Sequence, residues 1–358
     1  MKIPEVILLK PNRVWRTYPG GKMLDLAEGK EKIADTHFPE DWIASTTKAV
    51  NKGREEFINE GLSSVEIDGV SYTLKSLFKK YPLEFLGNHH YEKYGANTQF
   101  LLKFLDSSIR LHLQAHPTIE FSKKHLNSNS GKTEAYVILG IRDEVKDPYI
   151  YLGFQNAIDS EAFKEAIINQ NIEKLTSCFE KIPIKAGDVF IVPGGLPHAI
   201  GEGVFMIEIM EPTDFAVRLE FEKGGYVLPE EARFMSRGVD FALDMMNFNT
   251  ISVDQIKKEN FCLPKLIDEQ VGGKEFALIA TEQTPCFSVN KLCVSSKFTK
   301  TSHSFYVGIV TKGTGLIKIN NNEVTIKTGD KFLIPFKTSK VNYISNSNLE
   351  IVFTFPPK

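Results

Sequence analysis

The segment from Ile109 to Pro117 alternates apolar and polar side chains without interruption. Successive side chains of a β-strand point to opposite faces, so this strand has one apolar and one polar face. The apolar face carries Leu111, Leu113 and Ala115, and the polar face carries His112, Gln114 and His116. Three polar side chains with ligand atoms favour a strand that lines a polar cavity inside a β-barrel. A solvated face or a buried hydrogen-bond network is the alternative interpretation.

The composition is that of an ordinary globular protein, with 358 residues, 42% hydrophobic and 25% charged. A net charge of −2 gives no electrostatic reason to expect a nucleic-acid or membrane partner. No apolar run approaches the ~20 residues that cross a bilayer, and the N-terminus does not read as a signal peptide. The four cysteines form no C-x-x-C pair, so free thiols and a cytoplasmic location are expected.

Helical patterns are few, and most of the chain reads as short strands. One helix is predicted over 74–81 behind Thr73, a second from Asp159 or Ser160 to Phe179, and a third over 229–246 with Gly238 inside it. The predicted strands cover 109–116, 134–141, 148–153, 188–193, 203–211, 215–221, 276–281, 286–295, 304–311, 315–319, 331–335 and 349–355.

One nine-residue pattern occurs twice. Residues 185–193 and 327–335 share Lys, Gly, Asp, Phe and Pro in the same order, which predicts a Gly-Asp turn, an apolar strand and a terminating proline. Two related β-domains are therefore expected. Eleven residues after the shared glycine the first copy has His198, whereas the second has Lys340. We predict a catalytic domain over 1–221, a helical bridging segment over 222–265, and a second domain without metal ligands over 266–358.

Potential metal ligands recur along the first copy. Gln114 and His116 lie on one strand, Glu134 begins the next with Lys132 on the same face, and His198 follows the Gly-Asp strand. Two imidazoles, a carboxylate and an amide leave room for water or substrate, which is typical of an open, catalytic zinc site.

A second polar face follows the turn at Pro212-Thr213. Asp214, Ala216 and Arg218 share it, and Glu208 interrupts the preceding apolar strand. An arginine facing a cavity is a natural ligand for phosphate or for another anionic oxygen. The alternative is a structural ion pair of Arg218 with Glu208 or with Asp214.

These motifs resemble the type I mannose-6-phosphate isomerases, which are zinc-dependent cupins. The resemblance rests on the Gln-x-His-Pro strand, the Lys-x-Glu strand start, the Pro-x-x-x-Pro-His-Ala turn, the downstream arginine and the segment Glu40 to Ser45. It covers residues 5–221 and implies a mainly β fold of two cupin-type jelly-roll β-barrels with added helical segments, the second barrel degenerate. It further implies one zinc ion per chain bound by Gln114, His116, Glu134 and His198.

The resemblance implies an aldose–ketose isomerase that interconverts mannose 6-phosphate and fructose 6-phosphate through a cis-enediol. It places Arg218 at the catalytic arginine and Lys132 at a lysine of the same site. Glu208, Lys132 and a zinc-bound hydroxide stay open as the base. The alternatives are an isomerase of another sugar phosphate and a metal-binding cupin with a sugar-binding or regulatory role. A cupin oxygenase is disfavoured by Gln114.

Two departures from the family bear on the substrate. His112 stands where the family commonly has a serine, and the segment after Ser45 lacks the usual small-His-Pro-Asn-Gly pattern. The predicted substrate contacts are His112, Lys132 and Asp214, with a phosphorylated hexose as the partner. The sequence does not predict the oligomeric state.

Overall fold

The first part of the chain forms short strands interrupted by helices. The structure is a computed structural model that describes residues 1–358. The strands in this part are β1 (Ile7–Leu9), β2 (Arg13–Val14), β3 (Glu40–Ile43), β4 (Ser64–Ile67), β5 (Val70–Thr73), β6 (Leu101–Asp106), β7 (Gln114–Ala115), β8 (Glu134–Ile141), β9 (Tyr149–Leu152), β10 (Ile182–Pro183), β11 (Val189–Val192), β12 (His198–Ile200), β13 (Val204–Met210), β14 (Val217–Arg218), β15 (Glu222–Lys223) and β16 (Tyr226–Val227).

The last part of the chain is entirely strands and turns. These strands are β17 (Lys265–Gln270), β18 (Gly273–Ile279), β19 (Ser288–Val294), β20 (Lys297–Thr301), β21 (Tyr306–Lys312), β22 (Thr314–Ile319), β23 (Asn322–Lys327), β24 (Lys331–Ile334), β25 (Lys340–Ile344) and β26 (Leu349–Phe355). Strands hold 35% of the residues and helices 18%, so the predicted mainly β class is confirmed.

The helices are short and lie outside the sheets. They are α1 (Lys22–Ala27), α2 (Leu74–Lys80), α3 (Pro82–Phe85), α4 (Asn88–Tyr94), α5 (Ile119–His125), α6 (Ser160–Ile168), α7 (Ile172–Thr176), α8 (Glu230–Arg233), α9 (Val239–Met245) and α10 (Val253–Glu259). The helix predicted behind Thr73 is confirmed as α2, because the Thr73 side chain accepts a hydrogen bond from the Ser76 backbone N–H at 3.2 Å. None of the helices has the length and apolar composition to cross a membrane.

The second and third predicted helices were wrong in their continuity. Gln170, with φ of 49°, separates α6 from α7, and Asn171 caps the new helix. Met235 and Ser236, with φ of 56° and 59°, likewise separate α8 from α9. A left-handed residue ends the run of helical hydrogen bonds. Gly238 therefore precedes α9 as its N-cap, with φ of 82°, instead of lying inside a helix.

The strand order of the N-terminal half (β2–β16) repeats in the C-terminal half (β17–β26). A six-stranded sheet has the order β11-β8-β13-β6-β3-β2, and a seven-stranded sheet has the order β1-β24-β21-β26-β19-β18-β17. The smaller sheets have the orders β10-β9-β12-β7-β14 and β20-β25-β22-β23. Each half therefore pairs a larger antiparallel sheet with a smaller one in matching order.

The repeated nine-residue pattern has the same geometry in both copies. Gly187 and Gly329 adopt φ of 93° and 92°, the left-handed conformation that glycine tolerates. The carboxylate of Asp188 accepts the Lys185 backbone N–H at 2.9 Å, and Asp330 accepts that of Lys327 at 2.8 Å. The following strands, β11 and β24, pair with β8 and β21 respectively.

A shared apolar core joins the two larger sheets. Phe104, Val137 and Ile207 from one sheet belong to the same buried cluster as Val289 and Val307 from the other. Strand β1 pairs with β24, so residues 7–9 lie in the sheet of the C-terminal half. The domain limits predicted from the sequence stay a prediction.

All the predicted strands overlap observed ones, but the first is much shorter than predicted. Regular pairing is limited to β7, because the backbone N–H of Leu113 donates to the Glu220 carboxylate at 2.7 Å instead of to a neighbouring strand. The segment nevertheless stays extended enough to preserve the alternation. Leu111, Leu113 and Ala115 are buried in apolar clusters, and the intervening polar side chains turn toward a cavity.

Candidate metal centre and adjoining pocket

Three of the predicted ligands converge between the two sheets of the N-terminal half. Ligand atoms of His116, Glu134 and His198 all lie within 4.8 Å of one another. His116 follows β7, Glu134 begins β8 and His198 begins β12, so three different strands position the group. None of the three side chains is more than 2% exposed.

Hydrogen bonds fix the orientation of both imidazoles. His116 donates from Nδ1 to the Phe215 carbonyl, and His198 donates from Nδ1 to the Leu196 carbonyl, each at 2.8 Å. Because a carbonyl only accepts, the Nε2 of each ring carries the lone pair when the imidazole is neutral. These lone pairs face the Glu134 carboxylate at 3.1 Å and 3.4 Å. Acceptors that face one another at such distances favour a cation beside them, and the Lys132 ammonium lies 3.1 Å from Glu134 Oε1 and 3.2 Å from His116 Nε2.

The protonation states agree with a metal site. Burial, together with the positive charge of Lys132, lowers the pKa of His116 to about 3, so its imidazole is neutral. Burial alone would raise the pKa of Glu134, but Lys132 and the imidazole contacts hold it well below its usual range. Oε1 of Glu134 is buried without a hydrogen-bond partner, although Lys132 Nζ lies 3.1 Å away. A neutral imidazole and an unsatisfied carboxylate oxygen fit a metal ion.

Gln114 lies beside this group as the sequence predicted. It stands opposite both His198 and Arg218 in the sheet register, and its amide nitrogen lies 3.4 Å from Nε2 of His198. Rotation of the amide about its terminal bond exchanges its nitrogen and oxygen, which turns the oxygen toward the imidazoles. The structure therefore brings all four predicted ligands together.

A pocket adjoins the metal group on the side of His112. Its free volume is about 30 Å³, space for about one water molecule. It is lined by the predicted residues His112, Gln114, Lys132, Glu208 and Arg218, and by Arg16, Thr17, Tyr18, Glu40, Lys103, Leu105, Leu111, Ile200 and Ala216.

Arg218 forms no ion pair, so the structural alternative considered for it is wrong. One guanidinium nitrogen donates to the Ala232 carbonyl at 3.2 Å, and no carboxylate lies within 4.0 Å. Glu208 instead pairs with Lys103 at 2.7 Å, and Asp214 pairs with Arg16 at 3.1 Å. Burial and the nearby positive charge of Arg16 lower the pKa of Arg218. A partly buried guanidinium without a counter-ion favours an anionic ligand.

Asp214, a predicted substrate contact, is fully engaged in an ion pair. Its two carboxylate oxygens accept from Arg16 at 3.1 Å each, and one also accepts the Val50 backbone N–H at 3.0 Å. Its role as a substrate contact stays a prediction. The Arg16–Asp214 pair ties the segment after β2 to the segment before β14, on one wall of the pocket.

Sequence reasoning missed the charged groups behind Glu208. Lys103 contacts both Glu208 and, at 3.1 Å, Glu40, which also accepts from Trp42 Nε1 at 2.7 Å. Burial raises the pKa of Glu208 to about 8 despite the attraction of Lys103. The available signal was a lone lysine in the otherwise apolar run Leu101–Leu105, opposite Glu208 in the sheet.

His112 is held by the backbone of the neighbouring segment. Its Nδ1 donates to the Glu220 carbonyl at 3.0 Å, and its Nε2 lies 3.5 Å from the Thr17 hydroxyl. Burial and the charge of Arg218 lower the pKa of His112 to about 3. The ring is therefore neutral and presents an acceptor to the pocket, which suits a hydroxyl better than a phosphate.

The fold and the site together define a mainly β protein with a buried site suited to one metal ion. A family model described as the cupin domain of mannose-6-phosphate isomerase matches residues 279–355. The probable mannose-6-phosphate isomerase GmuF of Bacillus subtilis (strain 168) is 28% identical over 237 residues, which are 66% of this chain and 68% of that protein. The mannose-6-phosphate isomerase of Streptococcus mutans serotype c is 25% identical over 279 residues, 76% of this chain and 80% of that protein.

A solved structure has the same fold along its whole length. A zinc-bound mannose 6-phosphate isomerase superposes with a TM-score of 0.72, at 13% identity, and covers 99% of this chain and 100% of that one. The chain is therefore similar to mannose-6-phosphate isomerases in sequence over two thirds to three quarters of its length, and in fold over nearly all of it.

Proposed function

We propose that this chain is a zinc-dependent isomerase that interconverts mannose 6-phosphate and fructose 6-phosphate. The observation that carries the proposal is the convergence of buried acceptor atoms from His116, Glu134 and His198 beside the unpaired guanidinium of Arg218. Relatives and a zinc-bound structure of matching fold carry the corresponding name.

The zinc ligands in this proposal are Gln114, His116, Glu134 and His198. A zinc ion bound there supplies Lewis-acid polarisation of the substrate carbonyl. The two Nδ1 hydrogen bonds to the Phe215 and Leu196 carbonyls hold the imidazoles in the ligating orientation before any ion arrives.

Isomerisation moves a proton between neighbouring carbons through a cis-enediol, which needs a base beside the sugar. Glu208 is the better candidate in this geometry, because its pKa near 8 matches proton transfer close to neutral pH and it lines the pocket. Lys132 is the alternative, although its ammonium lies 3.1 Å from Glu134 and 3.2 Å from His116 Nε2. Arg218 holds the negative charge that develops on the substrate oxygens.

The charge balance of the pocket supports a phosphorylated sugar. Four buried or partly buried cations and four carboxylates surround the site, and they cancel when all are ionised: Arg16, Lys103, Lys132 and Arg218 against Glu40, Glu134, Glu208 and Asp214. A divalent metal ion adds two positive charges to this neutral set. A phosphate dianion balances them, whereas a neutral sugar leaves the buried charge uncompensated.

Two jelly-roll barrels are the architecture we infer from the repeated sheet order. In this interpretation residues 1–221 form the catalytic domain except for strand β1, which pairs with β24; residues 222–265 form the bridging segment and 266–358 a barrel without metal. Thr301, Tyr306 and Lys340 hold the register positions of Gln114, Glu134 and His198, and none of the three belongs to a metal-ligating group. The predicted cytoplasmic location stays a prediction.

Conversion of mannose 6-phosphate to fructose 6-phosphate tests the function directly. The zinc-loaded chain is expected to catalyse it, to lose activity after chelation and to regain activity when Zn²⁺ is restored. A zinc-loaded protein that binds the sugar phosphate without turnover would instead identify a sugar-binding member of the family.

Lys103→Met tests Glu208 as the base. Loss of the ammonium at 2.7 Å disfavours the Glu208 carboxylate, so its pKa rises and the acid limb of kcat/KM is expected to move to higher pH. Lys300→Met is the matched control, because Lys300 forms a buried pair with Glu275 at 2.6 Å in the other half. An acid limb that stays in place in Lys103→Met would count against Glu208.

His112→Ser tests whether His112 accepts a hydrogen bond from a sugar hydroxyl and thereby contributes to substrate specificity. Loss of one acceptor is expected to change the relative kcat/KM for hexose 6-phosphates that differ at one hydroxyl by about tenfold. The exposed His89→Ser variant serves as control. An unchanged preference in His112→Ser would show that this residue does not set specificity.

A further inference from the structure

Tyr136 lies on the same strand as the proposed ligand Glu134 and on the same face. The two residues are separated by one position in β8, so their side chains project together. The Tyr136 hydroxyl donates to Oε2 of Glu134 at 2.7 Å, and the two residues are 1% and 0% exposed. This bond is the only hydrogen bond that the Glu134 carboxylate accepts from a neutral donor.

The hydrogen bond gives the two oxygens of the Glu134 carboxylate different environments. Oε2 is held by the phenol, whereas Oε1 is buried without a hydrogen-bond partner and lies 3.1 Å from Nε2 of His116. A carboxylate with one oxygen fixed presents the other in a defined direction. Because the Tyr136 ring is itself immobilised in the core, Glu134 keeps this orientation before a metal ion binds.

The C-terminal half contains a buried tyrosine hydroxyl with a purely structural partner. Tyr306 holds the register position of Glu134, and its hydroxyl lies 3.0 Å from that of Tyr343. Both rings are fully buried, and no ligand group adjoins them. A tyrosine-to-phenylalanine substitution therefore removes one buried hydroxyl in either half. In the N-terminal half the hydroxyl lies beside the proposed metal site, and in the C-terminal half no such site is nearby.

We propose that Tyr136 is a positioning residue that orients Glu134 toward the metal ion and thereby sets the metal affinity of the site. This inference rests on the proposed function, because it takes Glu134 as a ligand. Ligand carboxylates in metal sites are commonly held by such a hydrogen bond, and its loss typically weakens metal binding by roughly 10–100-fold.

The test compares Tyr136→Phe with Tyr343→Phe in the full-length chain. Zn²⁺ affinity is measured by competition with a chromogenic chelator, and the visible spectrum of the Co²⁺ form reports the ligand geometry. We expect Tyr136→Phe to raise the Kd for Zn²⁺ by roughly 10–100-fold and to alter the Co²⁺ spectrum. Tyr343→Phe is expected to leave both unchanged while lowering the melting temperature of the metal-free protein.

The outcomes separate this inference from the proposed function. A wild-type chain that takes up no Zn²⁺ overturns both. A wild-type chain that binds Zn²⁺ and a Tyr136→Phe variant with the same Kd and Co²⁺ spectrum overturn only the role of Tyr136. A Tyr136→Phe variant that does not fold, beside a folded Tyr343→Phe, assigns the hydroxyl to the stability of the sheet and also overturns the inference.

Discussion

Arg218→Ala is expected to lower kcat for mannose 6-phosphate by about 10²–10³-fold, because removal of one preorganised group that stabilises developing negative charge has this effect in other enzymes. Zinc content is expected to stay at the wild-type level, since the guanidinium contacts the Ala232 carbonyl and none of the four ligands. Activity is measured on the zinc-loaded variant, and bound metal is determined by elemental analysis.

Removal of the Arg218 charge is expected to stabilise the folded protein although it abolishes most of the activity. Arg218 has no counter-ion in a partly buried pocket, so its charge is held at a cost to the folded state. Arg218→Met keeps most of the side-chain volume and removes the charge. We expect this variant to unfold at a higher temperature than the wild type, stabilised by about 1 kcal/mol or more, while it remains as inactive as Arg218→Ala.

Arg237→Ala provides the control for both measurements. Arg237 is exposed, and its guanidinium contacts the His125 carbonyl and the face of Phe241, neither of which lines the pocket. Its replacement is expected to leave turnover unchanged. An Arg218→Ala enzyme with wild-type kcat, or an Arg218→Met protein that melts well below the wild type, would show that Arg218 serves the fold.

The proximity of His116, Glu134 and His198 was predictable because it depends on which side chains share a strand face, and this alternation persists where the backbone is irregular. The strand around Gln114 loses its regular pairing where Glu220 accepts the Leu113 N–H, yet the polar side chains still turn to one side. Glu134 and His198 begin strands that the Gly-Asp turn and the apolar runs mark in the sequence. Local pattern was sufficient for these positions.

The ion-pair partners were not predictable, because they depend on contacts between distant segments. Arg16 and Asp214 are separated by 198 positions, and nothing in either local sequence selects the other. The partner assigned to Arg218 was wrong for this reason, since the nearby carboxylates are already taken by Arg16 and Lys103. The helix break at Met235 and Ser236 was not predicted for a different reason. Both residues adopt the left-handed conformation, which neither residue type favours.

The two halves show how one topology supports different interiors. In the C-terminal half, Phe298, Tyr306, Val341 and Phe353 belong to one buried apolar cluster. In the N-terminal half the corresponding space holds the ligands and the charged pocket. A packed apolar interior needs no ligand, whereas the charged groups around Glu134 and Glu208 balance one another when all are ionised, so a metal ion bound among them calls for an anionic ligand as well.

His198→Asn is expected to reduce bound zinc to well below one ion per chain and to lower turnover by about 10³-fold or more, because a metal ion that polarises a carbonyl contributes several kcal/mol to transition-state stabilisation. Asparagine retains a donor for the Leu196 carbonyl and has no atom at the position of Nε2. The Lys132–Glu134 pair at 3.1 Å stays intact, so the variant is expected to fold.

His303→Asn is the matched control for this variant. His303 follows Thr301 by two positions, as His116 follows Gln114, but it is exposed and belongs to no metal-ligating group. Its replacement is expected to leave zinc content and turnover unchanged, because the C-terminal half contributes no ligand. If His198→Asn retained one zinc ion and full turnover, the ion would lie elsewhere, and the convergence of His116, Glu134 and His198 would be structural.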